Sequence, residues 1–156
     1  MPNHERMPKS EARNAATRDD SFWNEDGELV VREEAGRSRA YDLEERTARF
    51  GEAFIDFAKT IPQNPLTNRL ISQLVGAGTS VGANYVEADD VVSKPRKLSG
   101  LKSIGTCRKE ARETKHFLRM IARAVAELKL QARELWMEAR ELHLIFPRIW
   151  RGRKNE

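Results

Sequence analysis

Leu43, Thr47, Phe50, Phe54, Phe57 and Ile61 follow one another at steps of 4, 3, 4, 3 and 4 residues. A strand would throw these side chains alternately to opposite faces. A helix, at about 3.6 residues per turn, gathers them into one seam. Asp42 and Glu45 precede the seam at capping-box spacing, and Pro62 closes it. Asn64-Pro65 then opens a second helix, as an N-cap followed by proline at the first helical position. Its seam is Leu66, Leu70, Leu74, Ala77, Val81, Tyr85 and Ala88. A loop at 89–95 leads to a third helix over 96–125. A fourth covers 131–146, with Leu135, Ala139, Leu142, Ile145 and Phe146 inward and Pro147 at its end. Four helices with short links and no strand pattern predict an all-α fold. The expected architecture is an antiparallel up-down-up-down four-helix bundle over 41–148, with a basic tail at 149–156.

Residues 1–40 read differently. They hold few aliphatic side chains and carry 7 basic and 9 acidic groups. Such a composition buries too little apolar surface to offset the entropy of ordering, so a disordered or docking N-terminal arm is expected. No apolar run approaches the roughly 20 residues that span a bilayer, and the first residues lack the apolar core of a signal peptide. The single cysteine, Cys107, rules out an internal disulfide framework and a cysteine-cluster zinc site. A cytoplasmic protein without membrane partner, metal or cofactor is expected.

Two features of the second helix need a reason. Gly76, Gly78 and Gly82 lie within it, each costing up to about 1 kcal/mol relative to alanine. Close approach of another backbone, from the same bundle or a partner subunit, would offset that cost. Ser80, Asn84 and Glu87 share an arc beside the apolar seam, and Glu110 of the third helix falls between Phe117 and Ile121 on its wheel. A structural polar network of Ser80, Asn84, Glu87 and Glu110 is the expectation, since polar groups at a core edge require partners.

The net charge of +4 is unevenly distributed. Residues 94–123 hold 10 basic and 2 acidic side chains. On the wheel of the third helix, Lys102, Arg108, Lys109, Arg112, Lys115, His116, Arg119 and Arg123 form a continuous band with no acid inside it. A solvated face normally mixes signs, as the fourth helix does with Arg133, Glu134, Glu138, Arg140 and Glu141. A single-sign band attracts polyanions, which places candidate nucleic-acid contacts at these eight residues. Motifs for sequence-specific reading are absent, so backbone contact is expected.

No catalytic set is evident. His4, His116 and His143 are far apart in the sequence, and Cys107 lies on the apolar side of its helix. Helical ribonuclease toxins space their Arg and His more widely than Arg112–His116 or Arg140–His143. The protein is expected not to be an enzyme. An oligomeric scaffold that holds a protein partner is the alternative, and the C-terminal IWRGRKNE suits either role.

The stretches YDLEERTARF at 41–50, QLVGAGTSVGANYVEAD at 73–89, KEARETKHFL at 109–118 and EARELHLIF at 138–146 carry a family resemblance. In this order they resemble the bacterial four-helix bundle proteins first noticed as products of intervening sequences in the large-subunit ribosomal RNA gene. Arg96-Lys97-Leu98 stands where that family often has an aromatic, Phe117 where it often has tryptophan, and Val91-Val92 and Pro95 are unusual in its loop. The resemblance implies a ring-shaped homo-oligomer, a pentamer. The chain is similar also to the accessory variability protein of diversity-generating retroelements. That similarity implies partners of RNA or DNA and a reverse transcriptase.

Overall fold

The computed structural model describes residues 22–23, 42–90 and 97–154. The chain divides into two units, residues 1–38 and 39–156. Of the first, Phe22 and Trp23 are described, their rings edge to face at 5.0 Å. The rest of the arm expected at 1–40, and most of the loop expected at 89–95, lie outside the described residues.

The described residues of the second unit form four α-helices: α1 (Leu43–Thr60), α2 (Pro65–Asp90), α3 (Lys97–Ala124) and α4 (Lys129–Lys154). A single 3-10 turn, Ala126–Leu128, joins the last two. Among the described residues there is no strand, and no helix is long and apolar enough to cross a membrane. α3 packs extensively against both α2 and α4, α1 packs against α2, and α1 touches α4 lightly.

The α1 seam is buried along its whole length, from Leu43 to Ile61. Phe50 and Phe54 meet edge to face at 4.7 Å, a favoured aromatic geometry. The helix stops where Ile61 turns extended and its N–H donates to the Ala58 carbonyl at 3.2 Å. The capping box is not formed. Asp42 sits at the N-cap without a side-chain cap bond, and Glu45 instead accepts from Arg49 Nε at 2.8 Å. The neighbouring cation outcompetes the helix end for that carboxylate.

The α2 cap is formed. Asn64 Oδ1 accepts from the N–H groups of Leu66 and Thr67 at 3.0 and 2.9 Å, which satisfies two of the free donors of the first turn. That cap also sets the rotation of the helix. Thr67 turns inward, 1 % exposed, and donates to the Pro62 carbonyl, while Leu66 is 63 % exposed. Leu66 is therefore not part of the α2 seam, which begins at half-buried Leu70.

The α2 glycines have distinct explanations. A Cβ on Gly78 would lie 2.6 Å from the Phe54 ring, and one on Gly82 would lie 3.2 Å from the Thr47 carbonyl oxygen. From the α1 side, a Cβ on Gly51 would lie 3.5 Å from Thr79 Cα. These absent side chains let the two backbones close together. Gly76 faces open space, with nothing within 4 Å of its missing Cβ. Opposite outcomes follow for the same substitution. Gly76→Ala raises stability by up to about 1 kcal/mol through helix propensity alone. Gly78→Ala lowers it by about 2 kcal/mol, because overpacking against a fixed ring outweighs propensity. Urea unfolding of both variants checks the pair.

α3 buries Ile104, Cys107, Ala111, Thr114, Leu118, Ile121 and Ala122, mostly small side chains that admit neighbours on both sides. α4 buries Ala132, Trp136, Ala139, Leu142 and Phe146. Leu135 and Ile145, expected inward, are half-buried. α4 also runs past its expected end: Pro147 is inside the helix, which continues to Lys154. Pro147 cannot donate to the carbonyl one turn back. The helix continues regardless, with Phe146 fully buried and its ring 6.4 Å from that of Tyr85 on α2.

The charged face expected on α4 is partly an interface. Arg46 of α1 grips Glu138 with two bonds, of 2.6 and 2.9 Å, and reaches Glu141 at 2.6 Å. The hydrogen bond that Arg46 donates to Glu138 is the main cause that holds its guanidinium above its ordinary pKa. Arg140 is itself buried.

Candidate nucleic-acid interface

α3 is an uninterrupted helix, so its wheel becomes real geometry. Lys102, Arg108, Lys109, Arg112, His116, Arg119 and Arg123 are all exposed, and Lys115 is half-buried. From Lys102 to Arg123 the band runs roughly 30 Å along the helix, at about 1.5 Å per residue. The core face buries Ile104, Cys107, Ala111 and Leu118 on the other side, which fixes the band toward solvent.

Individual members differ in their surroundings. Lys115 Nζ lies 5.3 Å from the centre of the Trp136 ring, a cation–π contact that ties the inner edge of the band to α4. His116 meets Phe117 edge to face at 5.3 Å. Lys109 Nζ lies 3.6 Å from Glu113, an exposed pair one turn apart and worth little.

Of the four residues of the expected polar network, Ser80 and Asn84 are joined to each other among the described residues. Asn84 Nδ2 donates to the Ser80 carbonyl at 2.8 Å, and Ser80 Oγ donates to the Gly76 carbonyl at 2.6 Å. Both are satisfied by their own helix, as short polar side chains readily are. Glu87 is exposed. Among the described residues no hydrogen bond joins Glu110 to Ser80, Asn84 or Glu87.

Glu110 and Cys107 nonetheless feel the core edge. Burial, and then the charge of Glu113, push the Glu110 carboxyl above the usual carboxylate range, with Lys109 opposing. The folded state thus holds that proton more tightly than the unfolded chain. Stability falls as pH climbs through the folded pKa, and the charged carboxylate is a liability near neutrality. Glu110→Gln should raise the thermal midpoint more near neutral pH than at about pH 4, as scanning calorimetry at the two pH values would show. Burial pushes the Cys107 thiol up to about 12. It is a protonated, buried group whose Sγ lies 3.4 Å from the Val81 carbonyl oxygen, not a nucleophile. Among the described residues no group of three His, Cys, Asp or Glu side chains is placed to hold a metal ion.

At one end of the band lies a pocket of about 410 Å³. Ile104, Gly105 and Arg108 of α3 line it, with Phe146, Pro147, Trp150 and Arg151 of α4. A helix that stops at Pro147, as the sequence predicts, would not form this pocket. The spacing of Phe146 and Trp150, one turn apart, is the signal that the helix continues.

Among the described residues, these features define an all-helical unit of four helices with a basic helix face. No family model matches the chain, and no curated protein matches it. A solved structure does match: a protein with unknown function from the S23 ribosomal protein family, from Bacteroides thetaiotaomicron. The TM-score is 0.59 at 20 % sequence identity, and the match covers 69 % of this chain and 96 % of that one. The likeness is one of fold.

Proposed function

We propose that this protein is a non-catalytic nucleic-acid-binding four-helix bundle that acts as a homo-oligomer. The observation that carries the reading is the α3 band, with seven of its eight basic side chains exposed. A polyanion laid along it displaces condensed counterions at each phosphate met, and no base-reading element is required. Binding is therefore to the backbone of RNA or DNA, without sequence preference.

In this reading the bundle is antiparallel, up-down-up-down. Short connections support that arrangement, as do the close approaches of 47 to 82, 51 to 79 and 54 to 78, which run in opposite directions along α1 and α2. The bundle assembles as a ring, a pentamer, in which the bands of successive subunits add their fields about one axis. Kinship with the ribosomal RNA intervening-sequence proteins is part of the proposal, supported by the sequence stretches quoted above and by the matching fold. The protein acts in the cytoplasm, alone or as an adaptor for a nucleic-acid enzyme such as a reverse transcriptase. A scaffold role without nucleic acid is the competing reading. It is favoured by the exposed Ile55, Leu66, Val86 and Leu130, which offer apolar contacts to a protein partner.

Two measurements decide between them. Light scattering at micromolar concentration should give a homo-oligomer, and a monomer would remove the ring. Titration with two unrelated RNA sequences of equal length should give affinities equal within about threefold, as backbone contact requires. Absence of binding at low salt would leave the scaffold.

A further inference from the structure

The pocket at the end of the band combines features that the band alone lacks. Its apolar lining includes Ile104, Phe146 and Pro147, and its exposed aromatic is Trp150. Its polar lining is two arginines, Arg108 and Arg151, with no acid among the lining residues. Arg108 also belongs to the α3 band, so the pocket and the band form one continuous surface. Trp150 is 36 % exposed, enough to present ring surface to a ligand.

We propose that this pocket takes an unstacked nucleobase from a single-stranded segment whose backbone follows the band. The inference rests on the nucleic-acid reading and adds to it a preference for single strands. A base offers a flat apolar face to Trp150, and its flanking phosphates meet Arg108 and Arg151. Bases in a duplex are stacked and paired, and they cannot enter without being pulled out. Stacking of this kind is tolerant of sequence, because every base has a π face. A peptide must carry an acidic and an apolar side chain at matched spacing to use both features, whereas every nucleotide carries a phosphate and a flat base.

The test uses the full chain. A single-stranded oligonucleotide carrying a fluorescent adenine analogue, dimmed by stacking on indole, is titrated beside its duplex. Trp150→Ala, Trp150→Phe and the native protein are compared, with circular dichroism to confirm the fold of each. The expected result is tighter binding of the single strand and loss of emission on binding. Trp150→Ala should weaken single-strand binding by about tenfold and leave duplex binding unchanged, while Trp150→Phe keeps most of the affinity. Full emission in the native complex, or single-strand affinity that ignores Trp150→Ala, would overturn the pocket while leaving the band in place. Displacement of the strand by equimolar adenosine monophosphate would assign the pocket to a free nucleotide and overturn the single-strand claim. If the native protein binds neither strand, the nucleic-acid reading itself fails, and the pocket proposal with it.

Discussion

Replacing Arg112, Arg119 and Arg123 together by Glu should lower nucleic-acid affinity by at least about a hundredfold at low salt. Each subunit then exchanges three cations for three anions in the middle of the band. The counterions once released at those phosphates stay bound, and repulsion is added. All three side chains are exposed, so the fold should persist. A charge-matched control separates site from net charge. Arg49, Lys59 and Arg69 are exposed on α1 and α2, outside the α3 band. Their joint change to Glu should alter affinity by no more than about threefold, through the long-range field alone. Equal losses in the two triple variants would show that binding follows total charge and not the band.

The largest effect on stability should come from Phe54→Ala. Phe54 is fully buried at the α1–α2 contact, against Phe50 and beneath Gly78. Gly78 has no side chain that could move into the space left behind, and the two backbones are already in close approach. The cost should fall at about 3–5 kcal/mol, the range for losing a buried aromatic side chain. Its neighbour Ile55 is 43 % exposed, and Ile55→Ala should cost less than about 1 kcal/mol. Denaturant unfolding of the two variants measures the difference, and equal costs would refute the packing of α1 on α2.

The α1 helix was legible because large apolar side chains recur along it at helical spacing and nothing else fits them. Asn64-Pro65 was legible because its chemistry is local: the cap bonds reach two and three residues ahead. The need for close approach at Gly78 and Gly82 was also legible, though its agents, Phe54 and Thr47, were not. What was lost depends on distant partners or on small rotations. Leu66 and Thr67 differ by one position, and only the cap geometry decides which one faces the core. Arg46 meets carboxylates some ninety residues away, so the α4 charge run read as a solvated face. Pro147 read as a stop because the packing that carries α4 past it is tertiary. The band was visible on the α3 wheel, whereas the half-burial of Lys115 under Trp136 required the register of α4.

The most direct test of the central claim is the salt dependence of binding. The affinity of the native protein for a single-stranded oligonucleotide is measured across ionic strength, beside that of Arg119→Gln. The expected plot of log affinity against log salt is a falling line. Arg119→Gln should flatten it by about one unit of slope for each copy in contact. A flat line for the native protein, or an unchanged slope for Arg119→Gln, would contradict the assignment of the α3 band to phosphate.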